Sequence, residues 1–288
     1  MARVRVMVVE DDDFTRSTVV GALQIQGVDV VCQTGSIGPA MKLAHELKPD
    51  ADFSDFEYLE MPVGQIGALL DSLTERNIQK ICLSGKFVRP PLHTIKPDSH
   101  AVALISKALF SGDDKALKIV RDFFQEQGFQ VVSEADYHTL DTLSSGEIFG
   151  PLLSDGQRKA VETAISALYQ LGALDVGQCI ITQSQRIIAI EGAEGTNEMI
   201  RRATDYLLTS PDIAESHDIA FIKMAKLAQD ITLDPPVFGR ETLELLITAG
   251  VSVIGLHAQK CRLSDARDEL IAASNAAGIT LLATDYPG

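Results

Sequence analysis

The first fifty residues alternate apolar runs with amphipathic stretches, and that order constrains the fold more than any other feature. Val4–Val9 is a short apolar run. From Phe14 to about Gln26 the apolar residues Val19, Val20 and Leu23 recur at helical spacing, with Gly27 as the stop. Val28–Cys32 is a second run, and Ile37–Leu47 a second helix closed by Lys48-Pro49. Strand, helix, strand, helix with short connections predicts a parallel sheet, because parallel neighbours need a crossover between them.

The alternation continues. Ile66–Leu73, about 100–110 and 114–127 read as helices, and Lys80–Leu83 and Phe129–Val132 as strands. Residues 140–156 are rich in Ser, Gly and Asp, with Gly150-Pro151 near the middle, the composition expected of a linker. Beyond it lie a helix over about 157–171 and two strands, Gln178–Gln183 and Arg186–Glu191, joined by Ser184-Gln185 as a hairpin. Helix and strand then alternate to the end, over 197–208, 219–223, 240–249, 251–256, 264–276 and 279–283.

Charge narrows the function classes. With 25 Lys and Arg against 40 Asp and Glu the formal net charge is −15, so no basic excess exists to neutralise a nucleic-acid backbone. The same charge repels anionic lipid, so any inner-membrane contact is expected to be local and peripheral. No signal-peptide pattern opens the chain and no apolar run is long enough to span a bilayer, which predicts a cytoplasmic protein. Cys32, Cys82, Cys179 and Cys261 share no C-x-x-C spacing and are expected as free thiols, three of them within buried strands.

One stretch concentrates the chemistry. Ile219–Lys223 is an apolar strand ending in a lysine; Lys226 follows three residues later, then Gln229-Asp230, then Asp234 locked by Pro235-Pro236. Cations and carboxylates gathered at a strand end suit a phosphate ester and a metal that bridges it. Lys223 and Lys226 would offer point charges to phosphates. Asp230 is the first choice for a metal ligand or catalytic carboxylate, and Asp234 reads equally as a second ligand or as a turn cap.

Glu194-Gly195-Thr196 opens a helix whose N–H groups and hydroxyl could cradle a phosphate; an ordinary N-cap explains it as well. Gly85-Lys86 follows a strand and precedes a stiff turn with Arg89, a second place for a phosphate, although not a Walker motif. Gly112-Asp113-Asp114 reads as a helix cap, with Arg121 on that helix. The six histidines form no ligand pair, and no G-x-S-x-G elbow is present.

Several of these motifs, in this order, resemble the UDP-2,3-diacylglucosamine pyrophosphatase family of lipid A synthesis, in its form unrelated to calcineurin-like phosphoesterases. They are Gly85-Lys86-Phe-Val-Arg89-Pro90-Pro91-Leu92, Gly112-Asp113-Asp114, Arg121 to Phe129, Leu171 to Gln178, Glu191 to Thr196 and the stretch through Gln229-Asp230. The resemblance begins near residue 56. It departs at Ala228, Thr232 and Pro235, where the family tends to have other residues, and Asn197 stands where it often has aspartate.

The resemblance implies a metal-dependent hydrolase that splits UDP-2,3-diacylglucosamine into UMP and 2,3-diacylglucosamine 1-phosphate. Magnesium would be the cofactor, with manganese as its substitute, and Asp230 and Asp234 its ligands. It implies catalytic roles for Asp230, Gln229, Lys223 and Lys226, and contacts to the nucleotide-diphospho-lipid from Gly85, Lys86, Arg89, Arg121, Glu194, Gly195 and Thr196.

The first fifty residues instead resemble half of a response-regulator receiver. Glu10-Asp11-Asp12-Asp13 follows the first strand, and Asp55 stands at the expected distance after Pro49-Asp50. The expected architecture is therefore α/β in two domains. A Rossmann-like parallel sheet fills 1–140, receiver-like over 1–50 and hydrolase-like over 56–140. A linker spans 141–156, and a mixed α/β catalytic domain fills 157–288. Two other functions fit parts of the pattern: a receiver-like signalling protein phosphorylated on Asp55, and a non-catalytic nucleotide-lipid binder.

Overall fold

The structure is a computed structural model and describes residues 5–9, 29–34, 61–62, 64–83, 95–108, 112–133, 141–210 and 218–286. By its internal contacts the chain divides into two compact units, Met1–Thr139 with Thr232–Asp234, and Leu140–Ile231 with Pro235–Gly288.

In the first unit four described strands pair in parallel: β1 (Arg5–Val9), β2 (Asp29–Thr34), β3 (Lys80–Leu83) and β4 (Gln130–Val132), in the order β2-β1-β3-β4. The described helices are α1 (Ile66–Glu75), α2 (Ser99–Ala108) and α3 (Asp113–Glu126). Leu70, Leu73, Ile78, Ile81, Phe124 and Phe129 form the core, from helix faces at i, i+3 spacing and from strand positions between the helices. Asp98 ties the start of α2 to α1, its carboxylate accepting from the N–H groups of Ala101 at 2.8 Å and Gly67 at 2.6 Å. Gly85, Lys86, Arg89 and Asp55, and the acidic cluster at residues 10–13, lie outside the described residues.

The second unit is a mixed six-stranded sheet covered on both faces. Its strands are β5 (Ile148–Phe149), β6 (Cys179–Gln183), β7 (Arg186–Ile190), β8 (Ile219–Lys223), β10 (Val253–His257) and β12 (Thr280–Thr284), in the order β5-β12-β10-β8-β6-β7. β8, β10 and β12 run parallel, while β6 is antiparallel to β8, β7 to β6 and β5 to β12. A small parallel pair, β9 (Val237–Phe238) and β11 (Arg262–Leu263), stands apart.

The described helices are α4 (Asp155–Gly172), α5 (Thr196–Thr209), α6 (Arg240–Thr248) and α7 (Arg267–Ala276). Strand parity decides which face each residue serves. Ile219 and Phe221 join the core with Met199, Leu207, Leu243, Leu246 and Leu270, whereas Ala220 and Ile222 join the core under α4 with Ala160, Ala164 and Leu168. β8 and β10 are buried along their whole length, as central strands covered on both faces must be.

Residues 141–156, expected to link the domains, carry β5 and the start of α4. Ile148 and Phe149 pair antiparallel with Leu282 and Leu281, and Ser154 caps α4 through a reciprocal capping box with Gln157. Polar composition marked the turns of this stretch and hid the two-residue strand between them.

Candidate functional site

The carboxyl ends of β8, β10 and β12 point to one edge of the six-stranded sheet. Because β6 and β7 are antiparallel neighbours, the start of β6 and the end of β7 come to that same edge. Open α/β sheets hold their ligands at such an edge, beyond the strand ends. Lys223, His257, Cys179 and Glu191 therefore stand at one end of the sheet, where α5 begins.

Glu191 is the anchor. Only 8% exposed, it uses both carboxylate oxygens: Oε2 accepts from the Gln178 N–H at 2.6 Å, and Oε1 from the Thr196 hydroxyl at 2.7 Å. Thr196 in turn accepts from Lys223 Nζ at 3.0 Å, and Lys223 is 7% exposed. A buried ammonium is thus joined to a buried carboxylate through one hydroxyl, which satisfies charges that would be costly to bury alone. Gly177 permits the approach: its φ of +37° is left-handed, and a Cβ there would lie 2.2 Å from the Glu191 carbonyl oxygen. Gly195 caps α5 at φ +84°, and a side chain built on it would meet nothing within 4 Å.

Cys179 and Cys261 are wholly buried nearby as free thiols, and Cys82 is buried in the first unit. Burial pushes the Cys179 thiol well above its ordinary range, and the Glu191 charge adds to that. Burial likewise lifts Cys261 to about 12, against a smaller opposing effect of Lys223. Neither thiol is a nucleophile at neutral pH.

Beyond β8 the chain turns through Met224, Ala225 and Lys226. Lys226 pairs with Asp175 at 2.5 Å, and its N–H donates to the Gln229 side chain at 2.9 Å. Gln229 therefore shapes the turn that carries Asp230, and Asp230 is half-buried just after it. Thr232–Asp234 groups with the first unit, whereas Asp230 belongs to the second.

Of the residues the sequence singled out, Lys223, Gly195 and Thr196 come together. Glu194 turns away to the surface, where Arg202 pairs with it at 2.7 Å and holds its carboxyl below the usual range. Arg121 pairs with its neighbour Asp122 at 2.9 Å on α3. Asn197 accepts a hydrogen bond from Thr242 at 2.9 Å.

Three residues carry more of the site than their sequence suggested. Glu191 had no assigned contact. His257 counted as an ordinary histidine, yet its Nδ1 accepts from the Ala225 N–H at 3.1 Å, and Tyr286 donates its hydroxyl to the Ala225 carbonyl at 3.0 Å. The one local signal for Glu191 and His257 is that each closes an apolar run.

Among the described residues no three His, Cys, Asp or Glu side chains converge on one point, so a metal held by protein ligands alone does not fit. No described helix is long and apolar enough to cross a membrane.

The LpxI N-terminal domain matches residues 18–139 of this chain, and the LpxI C-terminal domain matches residues 144–282. The UDP-2,3-diacylglucosamine pyrophosphatase LpxI of Caulobacter vibrioides is 24% identical over 268 residues, spanning 92% of this chain and 95% of that protein. The N-terminal match starts at residue 18 and not near 56, so most of the stretch given to a half-receiver, β2 included, lies within the hydrolase family's own domain. An acidic turn and a Lys-Pro-Asp sequence are short features that two parallel α/β folds can share. With both domains present, in order and nearly end to end, the chain belongs to the LpxI family.

Proposed function

We propose that this protein hydrolyses the diphosphate of UDP-2,3-diacylglucosamine, releasing UMP and 2,3-diacylglucosamine 1-phosphate in lipid A synthesis. The observation that carries the proposal is the chain from Lys223 through Thr196 to Glu191, with links of 3.0 and 2.7 Å, where α5 begins at the sheet's carboxyl edge. It supports the reading because a diphosphate needs a fixed cation and fixed donors at the site of charge development.

In this reading the Lys223 ammonium and the first N–H groups of α5 take the phosphate oxygens, and Glu191 holds both in place. Water adds to a phosphorus and gives up a proton to solvent, the bridging P–O bond breaks, and the departing phosphate keeps the electron pair. Asp230 acts as the carboxylate that orients this water or would hold magnesium, and Asp234 is assigned as a ligand by the family resemblance alone. Bound there, magnesium or manganese would supply charge neutralisation on the phosphate oxygens. Gln229 shapes the Asp230 turn, and Lys226 adds positive charge beside Asp175.

Gly195 keeps the start of α5 open, with Glu194 beside it. The family resemblance alone assigns Gly85, Lys86, Arg89 and Arg121 to the substrate. The lipid is met at the inner membrane by peripheral contact of a cytoplasmic protein.

The test is UMP release from UDP-2,3-diacylglucosamine with magnesium, with EDTA, and by Asp230→Ala. Release that needs the ion and is lost in the variant is the expected result. Release in EDTA removes the metal and keeps the hydrolase, while no release from folded wild-type protein overturns the proposal.

A further inference from the structure

His257 and Tyr286 have no part in the hydrolysis scheme, yet both act on the peptide groups of one residue inside the site. His257 ends β10 and is 2% exposed; Tyr286 lies two residues beyond β12. Ala225, between the two lysines, donates its N–H to His257 Nδ1 at 3.1 Å and accepts at its carbonyl from the Tyr286 hydroxyl at 3.0 Å. The two rings meet edge to face, with centroids 5.3 Å apart at 84°, and Tyr169 of α4 packs against Tyr286 at 5.6 Å. Ala225 is 2% exposed and lies just past the end of the β8 ladder, so its buried N–H and carbonyl need partners from elsewhere. Side chains from two other strand ends provide them. On either side, Met224 donates its N–H to the Gln178 carbonyl at 2.8 Å, and Lys226 to Gln229 at 2.9 Å.

We propose that His257 and Tyr286 are positioning residues, a two-sided clamp on Ala225 that sets where Lys223 and Lys226 hold their charges for the substrate's phosphates. The proposal rests on the hydrolase reading. The clamp needs an imidazole that is neutral at Nδ1 and a phenol that keeps its proton. Burial supplies both conditions, lowering His257 to about 4, with Lys260 adding to the shift and Asp285 opposing it, and raising Tyr286 to about 12.

The test compares full-length wild type with His257→Asn, which keeps an acceptor near the Nδ1 position, and with His257→Leu and Tyr286→Phe, which each remove one arm. Amide hydrogen exchange at Ala225 and Lys226, followed by NMR without substrate, is expected to accelerate by about tenfold or more in the Leu variant and to stay slow in the Asn variant. In the UMP-release assay, kcat of the folded protein is expected to fall roughly ten- to a hundredfold in the Leu and Phe variants, with Asn restoring most of it. A merely structural role would lower Tm and leave kcat per folded molecule unchanged, and that result overturns the clamp. Equal exchange at Ala225 in wild type and His257→Leu also overturns it. Should the Leu variant not fold, Tyr286→Phe decides on kcat. Wild-type protein that releases no UMP fails the hydrolase reading instead, and the exchange measurement still decides the clamp.

Discussion

Lys223 Nζ lies 3.0 Å from Thr196 Oγ1, so the last residue of β8 is tied to the first residue of α5 across 27 positions of sequence. The hydroxyl accepts from the lysine and donates to Glu191, which leaves the ammonium with further N–H donors for a ligand.

Thr196→Val keeps the shape and removes the hydroxyl, leaving the Glu191 and Lys223 charges without that link. Stability is expected to fall by roughly 2 kcal/mol in urea denaturation, and UMP release by about tenfold or more. Thr196→Ser should retain most of both. A Val variant as active as wild type would remove Thr196 from the site.

The two glutamates that flank Gly192-Ala193 should respond very differently. Glu191→Gln removes a buried charge connected to Lys223 and is expected to cost roughly 3 kcal/mol. Glu194→Gln breaks a surface pair with Arg202 and should cost under about 1 kcal/mol, less in high salt. Parallel thermal melts at two ionic strengths separate the two cases, and equal losses would contradict the burial difference.

The depressed His257 makes stability depend on acidity in one direction. Its folded value is about 4 and its ordinary value 6.5, so between these the unfolded chain binds more protons. The contribution is full above about 6.5 and is lost as pH falls toward about 4, a span worth roughly 3 kcal/mol. Tyr286 acts at the other end. With its value raised from 10.0 to about 12, its contribution is full below 10 and is lost as pH rises through about 12. Denaturation midpoints of wild type and His257→Asn from pH 4 to 8 check the acid limb. The part of the slope that His257 contributes, between about 6.5 and 4, should be absent in the variant, while the carboxylates held below their usual range keep theirs.

Cys179 and Cys261 should resist alkylation in the native state. Peptide-resolved mass spectrometry after iodoacetamide at pH 7.5 is expected to find both unmodified until denaturant is added, because both are fully buried and held as thiols. Fast native labelling at either would show that this edge of the sheet opens.

The sequence made the elements of the second unit legible because each carries a local period. Ile219–Ile222 and Val253–Leu256 are unbroken apolar runs, and α4 announces its start with Ser154 and Gln157 three apart. Lys223 and Thr196 were found because each sits at an element boundary. Glu191 was not chosen over Glu194 because the turn between β7 and α5 decides which acid faces inward, and no composition encodes that. The partners of the Lys226 turn were hidden for a different reason: Asp175 is 51 residues from Lys226, and His257 and Tyr286 are 32 and 61 from Ala225. Fold closure alone brings such pairs together.

The burial of β8 on both faces has a consequence for how this edge can evolve. Its register is fixed by Ala220 opposite Val253 on one side and Cys179 opposite Lys223 on the other. A one-residue insertion in Ile219–Lys223 would move every side chain to the opposite face, putting phenylalanine where isoleucine packs against α4. The lysine's place is therefore quantised by the strand: the ammonium cannot drift by small steps, and refinement of its reach falls to the turn beyond it.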